Sequence, residues 1–351
     1  MLNELRLRDF RCFEAMTVEL GPGFNFFLGA NGEGKTTLLE AACVLLRLQS
    51  QRSTSLAPVI QLGKKAFAVR GDVDGHQLEF RYGGLRRSIR FDEVEQRTAG
   101  EYLRSARVVS FANSDLELAR GTSEPRRRFL DFLGTQIEPS YRPALRTYER
   151  ALRGRNALLK SGVARPRELA AFDHQLIMHG QMLERLRSNV AELISERAAA
   201  AYERISAGRE QLRVRFAAGV SGNDFAQELE QTRADEIRLR QTIVGPHRDD
   251  LALTIDGMPA AQFASEGQQR SIALALKIAQ AEAFAAAQQS APLLLIDDIF
   301  GELDEYRRNA LLDHLPTQSQ KLVTATALAW RGQLTADSVY QLRDRCLLRA
   351  E

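Results

Sequence analysis

The sequence predicts an α/β head, interrupted along the chain by an inserted helical lobe. Three observations predict it. A glycine-rich loop, Gly29–Thr36, sits between an apolar strand and a helix near the N-terminus. Four apolar residues followed by paired aspartates, Leu293–Asp298, lie near the C-terminus. Between them, from about Ser123 to Thr242, Arg and Glu are dense and helical periodicity takes over. The expected division is therefore a discontinuous head, 1–122 with 243–351, and a lobe, 123–242. A chain of 351 residues is long for one core and short for three domains, which suits this arrangement.

Each element has a local reason. "LNELRLRDF", "EAMTVEL" and "FNFFLG" carry alternating or β-prone apolar residues, and "GPG" reads as a turn. A helix follows the glycine loop from Lys35 to about Leu48. Further strands are expected in "AFAVRGDVDG", "HQLEFRYGG" and "RSIRFD", where Asp-Gly and Gly-Gly suit hairpin turns. In the lobe, Leu169, Phe172, Leu176, Leu183, Leu186, Val190 and Leu193 recur at spacings of three, four or seven. That stripe fits a short hairpin arm and equally a plain helical bundle; it is too short for a long coiled coil. After "TIVGPHRDDLALTIDG" the chain returns to strand and turn. The helix of "FASEGQQRSIALALKIAQ", the buried strand "PLLLIDD", another helix and the strand "KLVTATA" follow.

Composition narrows the class. The hydrophobic fraction of 44% and charged fraction of 26% belong to an ordinary folded protein. A net charge of +3, from 48 basic and 45 acidic residues, argues only weakly for nucleic acid. Arg supplies nearly all the basic residues, and its fork suits phosphate better than Lys does. Cys12, Cys43 and Cys346 are odd in number, far apart and outside any CxxC pair. They give neither a zinc site nor a disulfide framework, and a reducing compartment is expected. The charged, strand-like N-terminus lacks a signal-peptide core and no stretch is long enough to cross a bilayer, so a cytoplasmic protein without a membrane partner is expected.

Three stretches carry chemistry. "GANGEGKT" fits G-x-x-x-x-G-K-S/T in the strand–loop–helix context that this pattern requires. The amides of Gly29, Ala30, Asn31, Gly32, Glu33 and Gly34 suit phosphate oxygens, with Lys35 reaching the β- and γ-phosphates and Thr37 beginning the helix beside it. Thr36 offers its hydroxyl to Mg²⁺. Asp297 and Asp298 end a central parallel strand, where open α/β sheets bind ligands. Asp297 suits Mg²⁺ through water, and Asp298 suits orienting or deprotonating an attacking water. Paired carboxylates alone also suit a solvated strand end. In "GELD", Asp304 is a candidate nucleotide contact in a loop that senses a neighbour, and equally fits a simple helix cap. Finally, Ser265, Gly267 and Gln268 open a long apolar helix, whose free amides and positive dipole end suit an anion. Ser265 also suits an ordinary N-cap.

The combination resembles ATP-binding-cassette ATPases, where such a signature helix meets the γ-phosphate on the opposite subunit. On that resemblance the site is complete only in an ATP-dependent homodimer. The N-terminal "LRLRDFRCFEAMTVELGPGFNFFLGANGEGKTTLLEA" is similar to the heads of SMC-type ATPases. "VGPHRDDL", "FASEGQQRSIALALK", "LLLIDDIFGELD" and "DLELARGTSEPRRRFLD" resemble the RecF family, over nearly the whole chain. The resemblance implies an ABC-ATPase (P-loop NTPase) head with an inserted helical lobe or short arm. It implies ATP and Mg²⁺, and slow, DNA-stimulated hydrolysis that works as a switch. It also implies DNA binding at single/double-strand junctions of gaps. RecR is the implied partner, with RecO, and RecA loading downstream in recombinational repair, replication restart and SOS induction.

Arg126, Arg127 and Arg128, with Arg185 and Arg187 on the arm, are candidate phosphate contacts that would not read bases. Arg86 and Arg87 mark a strand edge. Solvated helix faces with Glu partners are the other reading of such runs. His247 and Arg248 fit either a structural role or a coupling of nucleotide state to the lobe. Two other functions share these motifs: a RecF-like ATPase of a defence system, and the ATPase subunit of a membrane transporter. The transporter reading wants Leu-Ser-Gly-Gly-Gln where this chain has Ser-Glu-Gly-Gln-Gln.

Overall fold

The computed structural model describes residues 1–53, 55–84, 86–100, 102–162, 166–220, 224–287, 291–328, 330 and 334–350. Its first stretch forms β1 (Leu2–Phe10), β2 (Phe13–Glu19), β3 (Phe24–Leu28), α1 (Lys35–Arg47), β4 (Phe67–Val73), β5 (His76–Gly83), β6 (Arg86–Phe91), β7 (Val94–Glu95) and β8 (Val108–Ala112). The middle forms α2 (Leu116–Arg120), α3 (Ser123–Ile137), α4 (Tyr141–Lys160), α5 (Pro166–Ser206), β9 (Leu212–Ala217), α6 (Phe225–Gln231), α7 (Arg233–Leu239), β10 (Asp250–Ile255), β11 (Met258–Pro259), α8 (Ala260–Phe263) and α9 (Glu266–Ala287). The last stretch forms β12 (Leu293–Asp297), α10 (Glu305–His314), β13 (Lys321–Ala325), β14 (Ser338–Arg343) and β15 (Cys346–Arg349). The chain divides into two compact units, Met1–Asp115 with Gln280–Glu351, and Leu116–Ala279.

The first unit holds two six-stranded sheets, ordered β2-β1-β4-β5-β6-β7 and β15-β14-β3-β13-β12-β8. The first is antiparallel. In the second, only the β14–β15 pair is antiparallel. Helix α1 touches both sheets, and Leu38, Leu39 and Ala41–Leu46 are all buried. A helix that is apolar all round needs neighbours on every side, and two sheets provide them. Strands β12 and β13 are buried nearly throughout, as central parallel strands must be. In β1, Leu5 and Leu7 point inward while Arg6 and Arg8 are exposed, so the antiparallel sheet keeps one wet face. The β4–β5 hairpin turns at Asp74 and Gly75, with φ 51° and 84°, the positive values a two-residue turn of this kind requires. Because β3, β13 and β12 run parallel and only β13 separates the other two, the glycine loop and the paired aspartates emerge at the same edge of the sheet, one strand apart.

The second unit combines the sheet β11-β10-β9 with helices. Leu169, Leu176, Leu183 and Val190 of α5 are buried, whereas Phe172, Leu186 and Leu193 are half-buried. Helix α5 packs against α3, α4, α6 and β9, so its stripe belongs to a bundle as well as to a helical hairpin. The unit begins at Leu116 and ends at Ala279, not at the expected 123 and 242. The reason is the pairing of β9 with β10 from Leu212↔Ile255 to Ala217↔Asp250, which ties the segment after Thr242 to the helical unit.

Candidate nucleotide-binding site

The glycine loop leaves β3 and enters α1 through two left-handed residues, Gly32 (φ 90°) and Gly34 (φ 104°). A Cβ at Gly34 would lie 2.7 Å from the Phe13 ring and 2.8 Å from Cys12 Sγ, so strain and space both demand glycine there. Helix α1 has no side-chain cap at Gly34 and no acidic residue in its first turn. Its dipole end is therefore left for an anion. The buried Lys35 folds back on its own loop, donating from Nζ to the carbonyls of Gly29 (2.7 Å) and Ala30 (2.9 Å). Asn31, Gly32, Gly34, Lys35, Thr36, Thr37 and Asp298 line one cleft of about 900 Å³, a size suited to a nucleotide. Glu33 sits outside this lining, with Oε2 accepting from the Arg345 amide at 3.4 Å.

The two acidic residues adopt different roles. Asp297 Oδ1 accepts from Thr36 Oγ1 and from Thr324 Oγ1, both at 2.8 Å. A hydroxyl and a carboxylate at this spacing fit Mg²⁺, which takes one or two protein oxygens and completes its shell with phosphate and water. Asp298 adopts φ 52°, and its amide donates to Thr324 Oγ1 at 3.0 Å. This aims its carboxylate away from the strand and into the cleft. Burial raises the Asp298 carboxyl above the usual aspartate range; Lys35 opposes that, while Asp297 and Glu302 add to it. A carboxylate raised in this way accepts a proton more readily. Asp304 caps α10, accepting from the Arg307 amide at 2.8 Å and pairing with the Arg307 side chain. Its place in the structure is thus the helix cap.

Several cleft residues carried no sequence signal. Arg11, Arg52, Ile60, Leu62 and Lys64 line it, and they come from loops with no recognisable pattern. Arg11 is held by a fork onto the buried Glu40 of α1, at 2.9 and 2.8 Å.

In the second unit, Ser265 and Gln268 form a reciprocal capping box. The Gln268 amide donates to Ser265 Oγ at 3.3 Å, and the Ser265 amide donates to Gln268 Oε1 at 2.6 Å. Gln268 Nε2 also donates to Glu210 at 2.7 Å. Ser265 remains exposed, and as cap its oxygen only accepts, so its own proton stays available for an anion. Gly267 is half-buried in the first turn.

The basic run is corrected by the structure. Arg126 is buried and grips Asp250 with two bonds, 2.7 and 2.9 Å. Arg187 is buried between Asp131 (3.0 Å, twice) and Asp249 (2.9 Å). Neither faces solvent, so neither is a phosphate contact. Arg127 is half-buried on Ser123 Oγ and the Asp249 carbonyl. Arg128 and Arg185 are exposed; Arg128 pairs with Glu124 at 3.1 Å, and Arg185 donates to the Gln181 carbonyl at 3.3 Å. The 3.6-residue helical period explains why neighbours in one run point inward and outward.

"GPHRDD" is the hub of this buried network. Asp249 is fully buried and also accepts from the Gly219 amide at 2.7 Å. Burial holds His247 near pKa 4, so the ring is neutral at pH 7. Its Nε2 faces the Thr242 carbonyl at 3.0 Å and must carry the proton, leaving Nδ1 to accept from Tyr148 at 2.7 Å. Removing one partner of a buried ion pair typically costs about 3–5 kcal/mol. Arg187→Ala should therefore lower unfolding stability by that amount in urea titrations, whereas exposed Arg128→Ala should stay within about 0.5 kcal/mol. Equal, small losses would contradict the hub.

Comparison with known proteins gives the family and the fold. The family model of the RecF/RecN/SMC N terminal domain matches residues 1–342. The chain belongs to that family. Within it, the DNA replication and repair protein RecF of Symbiobacterium thermophilum is 34% identical over 343 residues, covering 93% of this chain and 92% of the relative. A solved structure of the recombination mediator protein RecF with ATP, of the RecFOR pathway, is 26% identical with a TM-score of 0.89, covering 100% of this chain and 97% of that one. The Smc head domain of Pyrococcus furiosus, at 17% identity and a TM-score of 0.55 over 99% of this chain and 95% of that one, shares the fold. Among the described residues no helix is long and apolar enough to cross a membrane.

Proposed function

We propose that the chain is an ATP-gated DNA-repair ATPase of the RecF type. ATP sits on Gly29–Thr37, with Lys35 on the β- and γ-phosphates and Mg²⁺ held by Thr36 and, through water, Asp297. Mg²⁺ bound there would neutralise phosphate charge, and Asp298 is placed to orient the attacking water and receive its proton. Ser265, Gly267 and Gln268 of a second copy close on the γ-phosphate, so nucleotide and dimerisation are linked. The closed dimer holds gapped DNA at its single/double-strand junction. Slow, DNA-stimulated hydrolysis releases it. RecR, with RecO, is the partner through which RecA is loaded, and the protein works in the cytoplasm.

The observation that carries this reading is the 2.8 Å contact to Asp297 from Thr36 Oγ1, a residue that lines the cleft together with Lys35 and Asp298. The test is nucleotide titration of Lys35→Ala. A hydrogen bond to a charged group is worth about 1.5–3 kcal/mol, so Kd for ATP should rise roughly 10- to 150-fold. Unchanged affinity would remove ATP from this cleft.

A further inference from the structure

The antiparallel sheet of the first unit carries a patterned basic face. Across it, Arg6 of β1 lies opposite Arg70 of β4, Arg70 opposite Glu79 of β5, and Glu79 opposite Arg90 of β6. In the adjacent row, Arg8 lies opposite Ala68, and Ala68 opposite Arg81. These side chains alternate with Leu5, Leu7, Val69 and Phe80, which are buried on the other face. Arg6, Arg8, Arg70 and Arg81 are exposed, and Arg90 is partly so. Three of the guanidinia converge on one carboxylate. Glu79 receives Arg70 at 2.9 Å, Arg81 in close contact, and Arg90 at 3.7 Å. Arg6 pairs with Glu4 at 2.7 Å, and Glu95 lies opposite Arg90 at the sheet edge.

Two features of this face point to an anion. Like charges directly opposite each other destabilise a strand pair, yet Arg6 and Arg70 stand in that relation at the centre of the face. The charge is also polarised. The row beyond Arg6 and Arg70 is acidic, with Glu19 opposite Glu4 and Glu4 opposite Asp72. A polyanion is thereby attracted to the basic rows and kept off the other end. From β1 to β6 the basic row runs about 14 Å at the usual strand spacing, the axial length of roughly four phosphates of one DNA strand.

The face also says which nucleic acid. Single strands are held by aromatic platforms on which bases stack. Here Phe10, Phe67, Phe80 and Tyr82 are buried on the opposite face, and the guanidinia stand among Ala68, Thr17 and Ser88. We propose that Arg6, Arg8, Arg70, Arg81 and Arg90 form a docking surface for the phosphate backbone of duplex DNA, with Glu79 as the positioning residue that fixes three of the forks. This deepens the repair reading above and rests on it, because it assigns the duplex side of a junction to one sheet face.

The experiment uses the full chain with ATP and Mg²⁺, and follows fluorescence anisotropy of a 30-bp duplex (~30 bp, about three helical turns) and of oligo-dT across a salt series. In Arg8→Ala/Arg70→Ala/Arg81→Ala the log–log salt slope on duplex should fall by up to about three units, at roughly 0.9 per phosphate contact. Binding to oligo-dT should change less. The triple Arg→Lys variant keeps the charges and should keep most of the slope, which separates charge from misfolding. ATP binding should be unchanged in both. A wild-type slope in the triple Ala variant, or loss of slope in Arg128→Ala/Arg185→Ala instead, overturns the surface and leaves the repair reading standing. Absence of duplex binding by the wild-type chain overturns both.

Discussion

Asp298→Asn should bind ATP as the wild type does and hydrolyse it about 10²–10⁴-fold more slowly, the usual cost of removing a positioned base. The substitution is well suited to isolate the chemistry. Asn tolerates the left-handed backbone that Asp298 adopts at φ 52°, and the amide anchored on Thr324 is main chain, so the local geometry is retained. What changes is the ability to accept a proton. Single-turnover phosphate release measures it. The pH profile adds an independent readout. Because burial raises the Asp298 carboxyl, the wild-type rate should fall as pH drops through a range above that of an ordinary aspartate, and this limb should vanish in Asp298→Asn. Normal turnover in the variant would move the base to Glu302, which now accepts from Asn113 at 2.6 Å.

The features that the sequence made legible are those encoded locally. The glycine loop, its strand and its helix occupy one continuous stretch, and Asp297 and Asp298 follow directly on a run of apolar residues, so each half of the site could be read without knowing the other. The hairpin at Asp74–Gly75 was legible for the same reason. What escaped reading depends on pairing over long distances or on which side of an element a residue faces. Arg126 and Arg128 are two positions apart, yet one is buried on Asp250 and the other is exposed beside Glu124. Composition cannot separate them. Arg155 makes the same point: it is fully buried, bonded to Asp173 at 2.7 Å, in a stretch dense with surface arginines. The lobe boundary was missed because β9 and β10 are joined by register, across more than one helix. The basic sheet face likewise exists only once β1, β4, β5 and β6 are placed side by side.

Ser265→Arg should leave ATP binding by the single chain intact and abolish ATP-dependent dimers. Ser265 is exposed at the start of α9, where a small hydroxyl leaves room for a phosphate approaching the helix dipole. An arginine there fills that room and removes the acceptor for the Gln268 amide, a cap worth about 1 kcal/mol. Ser265→Ala loses the same cap without the bulk, so the difference between the two variants reports the space needed by the partner's γ-phosphate. Sedimentation velocity with and without ATP reads the outcome: dimers lost in Ser265→Arg, weakened in Ser265→Ala. Mixing sharpens it. A Ser265→Arg chain keeps its own Lys35, and a Lys35→Ala chain keeps its own Ser265. A mixed pair can therefore build one intact site, with the second chain's Ser265 closing on the first chain's nucleotide. The mixture should recover some ATP-dependent dimer and some turnover where neither variant alone does. Dimers of Ser265→Arg at wild-type yield would show that the partner's signature helix does not meet the nucleotide, and that α9 begins with an ordinary cap.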